Sequence, residues 1–312
     1  MIVKNSFQGL KNKFRNIVVG LGNFDGVHIG HQKLITKVVD TARSINGTAT
    51  IFTFNPHPLA VLDPKNDPPK LLSQQNKEKI MGKLGVDVIL SIPFNYQFAK
   101  IEPEDFIKKV LHQQMGVCDV VVGYNFSFGR KGRGTADTLR QYAEKYRYTL
   151  HVIPPVTIGE QVVSSTVIRK MLLAGDVETA AKLLGYLPFV QGVVVTGDRR
   201  GNAIGFPTAN INLNSKTLAP ANGVYSVHVE INGETYLGVA NIGRKPTFNK
   251  TGGTRNLEVH LLDFSGNIYG QLITVKFLRR LRSEQRFNSV NELICQIEQD
   301  IQMALSHRQT GG

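Results

Sequence analysis

The sequence predicts a doubly wound, mostly parallel α/β domain followed by a small antiparallel β-barrel with a closing C-terminal helix. Three observations carry this. A chain of 312 residues exceeds what one hydrophobic core ordinarily serves. Up to about Ile153, short apolar runs alternate with amphipathic helical stretches, the pattern of strand–helix–strand units. Beyond Leu187-Pro188 the runs come at short intervals, separated by Gly and Asn turns, which favours a barrel or sandwich.

In the first part the expected strands are IVVGLG (17–22), TATIFTF (48–54), VDVILSI (86–92), CDVVVG (118–123) and YTLHVI (148–153). They are apolar throughout rather than alternating, as strands covered on both faces must be. Helical stretches fall at 31–42, 77–84, 104–115 and 135–146, giving a Rossmann-like arrangement whose ligands belong at the carboxyl ends of the strands. Two short helices, 166–175 and 177–185, precede the change of texture. We place the boundary there, with domains 1–186 and 187–312. The second domain reads as VQGVVVTG (190–197), GVYSVHVEING (223–233), ETYLGVANIG (234–243), NLEVHLLDFSG (256–266) and LITVKFLRRL (272–281). Val290, Leu293, Ile294, Ile297 and Ile301 then recur at helical spacing behind Ser289, a suitable N-cap.

The formal net charge of +13 favours anionic partners. Both parts are basic, with 24 basic against 15 acidic residues up to Tyr186 and 13 against 9 beyond it. Nucleic acid and phosphorylated small substrates explain this equally well. Cys118 and Cys295 lie far apart in apolar neighbourhoods and read as two buried free thiols rather than a disulfide or a thiolate metal site. The first sixteen residues lack the apolar core of a signal peptide, and no apolar run approaches membrane-spanning length. A cytoplasmic protein without membrane association is expected.

The strongest local signal is GLGNFDGVHIGHQKLI (20–35), an apolar strand running into a glycine-rich turn and then a helix. Gly20, Gly22 and Gly26 are expected to supply positive φ and close approach, and the helix N-terminus to face an anion. His28 and His31 flank Gly30 and could donate to phosphate oxygens. No acidic or thiol third ligand sits at a standard metal spacing. TFNPHP (53–58), GYNFSFGRKGRG (123–134) and VSSTVIR (163–169) follow expected strands. Phe54, Pro56, His57 and Pro58 form a stiff rim suited to a flat ring. Arg130, Lys131 and Arg133 form a basic loop. Arg169 is expected in a first helical turn behind a Ser-Ser-Thr cap.

The turn resembles the HxGH signature of nucleotidyltransferases, and the four segments together resemble the bacterial FAD synthetase module. That resemblance implies a nucleotidyltransferase fold, with His28 and His31 in adenylyl transfer and Gly22, Phe24, Asn125, Ser165, Thr166 and Arg169 at the nucleotide. It assigns Phe54, Pro56, His57 and Pro58 to the flavin.

In the second part, GDRRGNAIGFPTANI (197–211) contains GFPTAN. Pro207 fixes φ, so Thr208 and Asn210 are expected on a rigid turn with side chains on one side. Their hydroxyl and amide oxygens suit a hydrated Mg²⁺ carrying ATP phosphates. In NLEVHLLDF, Leu257, Val259 and Leu261 share one strand face and Glu258 and His260 the other. Glu258 is the candidate general base for an alcohol attacking a γ-phosphate. These segments, with GVYSV (223–227), GVANIGRKPTF (238–248) and LRSEQRF (281–287), resemble riboflavin kinase. The resemblance places Gly205 at the nucleotide and Arg282 and Phe287 at the flavin.

From about Val18 to Asp300 the chain thus resembles a bifunctional riboflavin kinase/FAD synthetase. The substrates this implies are ATP, riboflavin and FMN, with Mg²⁺ as the metal. A different HxGH enzyme leaves PTAN and Glu258 unexplained. An RNA-binding barrel explains the charge but neither HIGH nor PTAN, and no stretch of interleaved aromatics supports it.

Overall fold

Apolar runs without polar alternation become the central strands of the first sheet. The computed structural model describes residues 1–197, 201, 204–213, 217–244 and 255–308. The chain divides into two units, Met1–Ser165 and Thr166–Gly312.

In the first unit, β1 (Ile2–Lys4), β2 (Ile17–Leu21), β3 (Thr48–Phe54), β4 (Val88–Ile92), β5 (Val117–Gly123) and β8 (Thr149–Ile153) form one parallel sheet in the order β1-β4-β3-β2-β5-β8. Its periphery carries two small ribbons, β6 (Ser127–Phe128) with β7 (Gly134–Thr135) and β9 (Thr157–Ile158) with β10 (Gln161–Val162). The helices are α1 (Leu10–Lys13), α2 (Ile29–Ser44), α3 (Pro58–Leu62), α4 (Gln74–Lys83), α5 (Pro103–Asp105), which continues as a π-helix over Phe106–Met115, and α6 (Ala136–Tyr146). Ile17, Val19 and Leu21 of β2 join a core with Phe106, Leu111 and Leu139. The intervening Gly20 faces Leu34 and Val38 of α2. Helices therefore cover both faces. Sequence reading missed β1, an edge strand of three residues with Ile2 and Val3 half exposed, too short to show a period.

The second unit opens on α7 (Ser165–Ala174) and α8 (Val177–Leu184), which group with the barrel rather than with the sheet. The barrel is closed, in the order β11 (Phe189–Val195), β12 (Ala209–Asn212), β15 (Arg255–Leu261), β14 (Glu234–Arg244), β13 (Gly223–Ile231) and β16 (Leu272–Arg282). All its pairings are antiparallel. Five of the strands were expected. The sixth, β12, lies inside the segment read as a turn, because Pro207 stops the chain from pairing only up to Thr208. Tyr225 and Phe277 meet edge-on at 5.3 Å in the interior. The closing helix α9 (Val290–Arg308) lays Ile301 and Ala304 against Val224, Val239 and Leu281. Ser289 caps it as expected, its Oγ accepting from Glu292 N–H at 3.2 Å. Both cysteines are free, but neither is buried: Cys118 is half-buried and Cys295, on the outward stripe of α9, is exposed. No helix among the described residues is long and apolar enough to cross a membrane.

Candidate active sites

The first site forms at the carboxyl edge of the parallel sheet, between β2 and β5, where successive connections leave in opposite directions. Of the three glycines in the β2–α2 turn, only Gly26 has positive φ, at +82°. Gly20 serves packing instead, since a Cβ there would come within 2.9 Å of Leu34, Val38 and Ile51. The left-handed backbone falls on Phe24 (φ 53°) and Val27 (φ 38°). Both side chains are fully buried, and that burial holds a conformation worth about 1–3 kcal/mol of strain per residue. The Phe24 ring lies edge-on to His31 at 5.3 Å. The Phe24 ring is therefore taken up by packing.

His28 caps α2, its Nδ1 accepting from His31 N–H at 3.3 Å. The two imidazoles stack with centroids 3.6 Å apart. With Nδ1 accepting, the neutral ring carries its proton on Nε2, so His28 offers a ligand one donor. Burial pulls its pKa from 6.5 down to about 4, against a smaller upward effect of its own backbone. His31 is held well below 6.5 by burial, then by repulsion from His28 and Lys77. Both rings are neutral at pH 7, so they act here as dipolar donors rather than cations. His31 Nδ1 is buried without a hydrogen-bond partner among the described residues.

A buried amine beneath this turn belongs to Lys77, which sequence reading did not single out. Its Nζ donates to Asn23 O and Thr53 Oγ1, both at 3.3 Å, and Thr53 Oγ1 donates to the same carbonyl at 3.1 Å. Burial, helped by Lys70 and opposed by Asp25 and Glu78, brings the Lys77 pKa down to about 8. Asp25 accepts from Leu71 N–H at 3.0 Å and its carbonyl accepts from Ser165 Oγ at 2.8 Å. The signal in the sequence was a lysine one turn from Met81 on the buried face of α4.

The other expected residues are found as follows. Phe54 is half-buried in an aromatic cluster, with Phe94 at 5.0 Å and Phe98 at 5.1 Å. Pro56 is exposed, His57 caps α3 by accepting from Leu59 N–H at 3.2 Å, and Pro58 starts that helix. Asn125 is exposed on the turn after β5, and Arg130 pairs with Glu102 at 3.0 Å. Ser165 is the first residue of α7 rather than a cap ahead of it, because its hydroxyl donates to the Asp25 carbonyl. Thr166 and Arg169 follow on α7, in the second unit, with Arg169 in the second turn.

The second site lies on the outer face of β12 and β15. Asn210 stands opposite Glu258 in register, with Ile211 opposite Leu257. Leu257 and Val259 point into the core, so Asn256, Glu258 and His260 share the outer face, as alternation requires. The turn 204–208 folds over them. His260 Nδ1–H donates to Pro207 O at 2.8 Å, and Phe206 meets the His260 ring edge-on at 5.5 Å. Gly205, at φ +87°, is exposed with open space around its Cα. Thr208 and Asn210 share a side, as expected, but Asn210 belongs to β12. Its Nδ2 reaches the Thr208 carbonyl at 3.5 Å, and Gly197 leaves the carboxamide the room a side chain would take. Asn256 Nδ2 donates to Asn210 Oδ1 at 2.9 Å and to Glu258 Oε1 at 3.2 Å. Asn256 Oδ1 is buried and has no partner among the described residues. Parts of two expected segments, residues 198–200 and 202–203 and the KPTF stretch 245–248, lie outside the described residues.

Arg282, expected at the flavin, grips Asp300 of α9 with two nitrogens, at 2.9 and 2.8 Å, and Asp300 is 2% exposed. Phe287 stacks near this guanidinium at 5.8 Å. The structure therefore uses Arg282 to tie β16 to the closing helix. No group of three or more His, Cys, Asp or Glu among the described residues is disposed to hold a metal. The hydroxyl and amide oxygens of Thr208 and Asn210, with an Asn256 carbonyl that has no partner among the described residues, fit a hydrated hard cation that also binds phosphates.

Residues 10–167 match the family model for FAD synthetase, and residues 184–307 that for riboflavin kinase. The bifunctional riboflavin kinase/FMN adenylyltransferase of Bacillus subtilis is 39% identical over 96% of this chain and 94% of its own length. The enzyme of the same name from Escherichia coli K12 is 36% identical over 91% and 90%. A solved structure named as a macrolide-efflux protein from Streptococcus pneumoniae is 32% identical, with a TM-score of 0.87 over 97% of this chain and 99% of that one.

Proposed function

This chain belongs to the bifunctional riboflavin kinase/FMN adenylyltransferase family, and on that premise we propose that its barrel makes FMN from riboflavin and ATP and its α/β unit makes FAD from FMN and ATP. One observation supports assigning each chemistry to its site. The barrel site presents a carboxylate, Glu258, held by Asn256, whereas the α/β site presents two neutral imidazoles above a buried ammonium. An alcohol must shed a proton as it attacks phosphorus, and a carboxylate can take it. The phosphate of FMN is already an anion and needs positioning and charge neutralisation instead.

In the kinase step Glu258 accepts the 5′-hydroxyl proton as that oxygen attacks the γ-phosphorus and ADP leaves. Thr208 and Asn210 hold Mg²⁺, which when bound neutralises the phosphates of ATP, and Gly205 lets backbone approach the nucleotide. In the adenylyl step an FMN phosphate oxygen attacks the α-phosphorus and pyrophosphate leaves. His28 donates through Nε2–H, and His31, Asn125, the Gly22–Phe24 backbone, Ser165, Thr166 and Arg169 position the nucleotide. Phe54, Pro56, His57 and Pro58 border the flavin there, and Arg282 and Phe287 border it in the barrel. The excess positive charge serves these phosphorylated substrates rather than nucleic acid or membrane, in a cytoplasmic enzyme. Incubation with riboflavin, ATP and Mg²⁺, with flavins resolved by chromatography, tests this. FMN followed by FAD is expected, and absence of either product refutes the corresponding site.

A further inference from the structure

We propose that Asn256 is a positioning residue of the kinase reaction, fixing the Glu258 carboxylate and the Asn210 carboxamide with the two hydrogens of one amide group. The inference rests on the reading of Glu258 as general base.

Asn256 is 5% exposed, and its orientation is set by chemistry rather than choice. Asn210 Nδ2 faces the Thr208 carbonyl, so Asn210 Oδ1 faces Asn256 and needs a donor. Glu258 Oε1, within 3.2 Å, also needs a donor. Only the NH₂ of Asn256 satisfies both. The chain Thr208 O, Asn210, Asn256, Glu258 is therefore directional, and it links the Asn210 oxygen assigned to the cation with the carboxylate assigned to the proton. With Oε1 occupied, Oε2 is the oxygen turned over to the substrate hydroxyl.

This leaves Asn256 Oδ1 buried and unpaired among the described residues. A buried acceptor of this kind calls for a donor. A hydroxyl of the substrate or a cation-bound water would supply the missing donor. Misplacement of reacting groups by an ångström costs up to about a hundredfold in rate, so a side chain that aligns base and cation ligand together acts on turnover rather than on flavin affinity.

The test is a double-mutant cycle on riboflavin phosphorylation in the full chain, using Asn256→Asp, Glu258→Gln and both together. Asn256→Asp keeps the size but removes the donor. The expected result is a kcat lower by about ten- to a hundredfold, a riboflavin KM within about twofold, and an unchanged FMN-to-FAD rate. In the Glu258→Gln background the same substitution should cost clearly less than in the parent, since the base it aligned is gone and only the Asn210 contact remains to be lost. Parent-like kcat in Asn256→Asp beside a crippled Glu258→Gln overturns the inference alone, as do losses that simply add. A parent-like Glu258→Gln overturns the reading of the base, and the inference with it. If melting curves show Asn256→Asp unfolded, Asn256→Ser, which keeps one donor hydrogen, should give an intermediate kcat, and a parent-like value there is equally fatal.

Discussion

Acidification should destabilise the α/β unit through His28, and the structure sets the size of the effect. The imidazole titrates near 6.5 in the unfolded chain and at about 4 in the folded one, chiefly because burial disfavours its cation. Between those values the unfolded state holds more protons, so stability is present above pH 6.5 and is lost as pH falls toward 4. A shift of about two and a half units at 1.36 kcal/mol each amounts to about 3 kcal/mol, and the ring is only 6% exposed, so little of it is screened. His31 shifts in the same direction. Other carboxylates also respond to acid, so the informative quantity is a difference. His28→Asn retains a capping side chain for α2 but has no proton to gain. Urea unfolding followed by circular dichroism, at pH 7 and at about pH 4, should show the parent losing about 3 kcal/mol more than the variant over that span. Parallel curves for the two proteins refute the reasoning, as does a histidine resonance assigned to His28 that titrates near 6.5. The same spectra should show Nε2 protonated in the neutral ring.

Excess chelator should abolish both reactions, because the side chains alone do not neutralise a triphosphate as a divalent ion does; turnover surviving EDTA contradicts this. The double substitution His28→Ala, His31→Ala should stop FAD formation while FMN still accumulates from riboflavin, and loss of both products in a folded variant argues against separate sites. Arg282→Met should lower the stability of the barrel unit by about 3–5 kcal/mol, since it strands Asp300 as a buried, unpaired charge. A thermal melt within a degree of the parent would mean the pair contributes little.

What the sequence shows best is what repeats or is chemically rare. Uninterrupted apolar runs marked the central strands, HIGH marked the turn into α2, and alternation in NLEVHLLDF placed Glu258 on the outer face. Strands β1 and β12 escaped because three or four residues cannot display a period, and Pro207 hides where pairing begins. Positive φ was expected at Gly20, Gly22 and Gly26; it occurs at Gly26 but otherwise sits at Phe24 and Val27, where tertiary burial rather than local preference decides the backbone. Whether His28 donates or accepts is invisible in composition, since it depends on an amide three residues along. Lys77 and Asn256 were visible as misfits, a lysine on a buried helix face and an asparagine two residues from the base, but only packing reveals what each holds.

Among the described residues, the strand that carries Asn210 is the shortest in the barrel, and it joins β11 through two residue pairs, Val194 with Ile211 and Val195 with Asn210. Its other partner, β15, lies more than forty positions further along the chain, so the seam at β12 closes only after a long loop has been brought round. The pairing that sets Asn210 opposite Glu258 is therefore a long-range contact. Until β12 has found β15, Asn210 and Glu258 are strangers forty-eight positions apart in the chain.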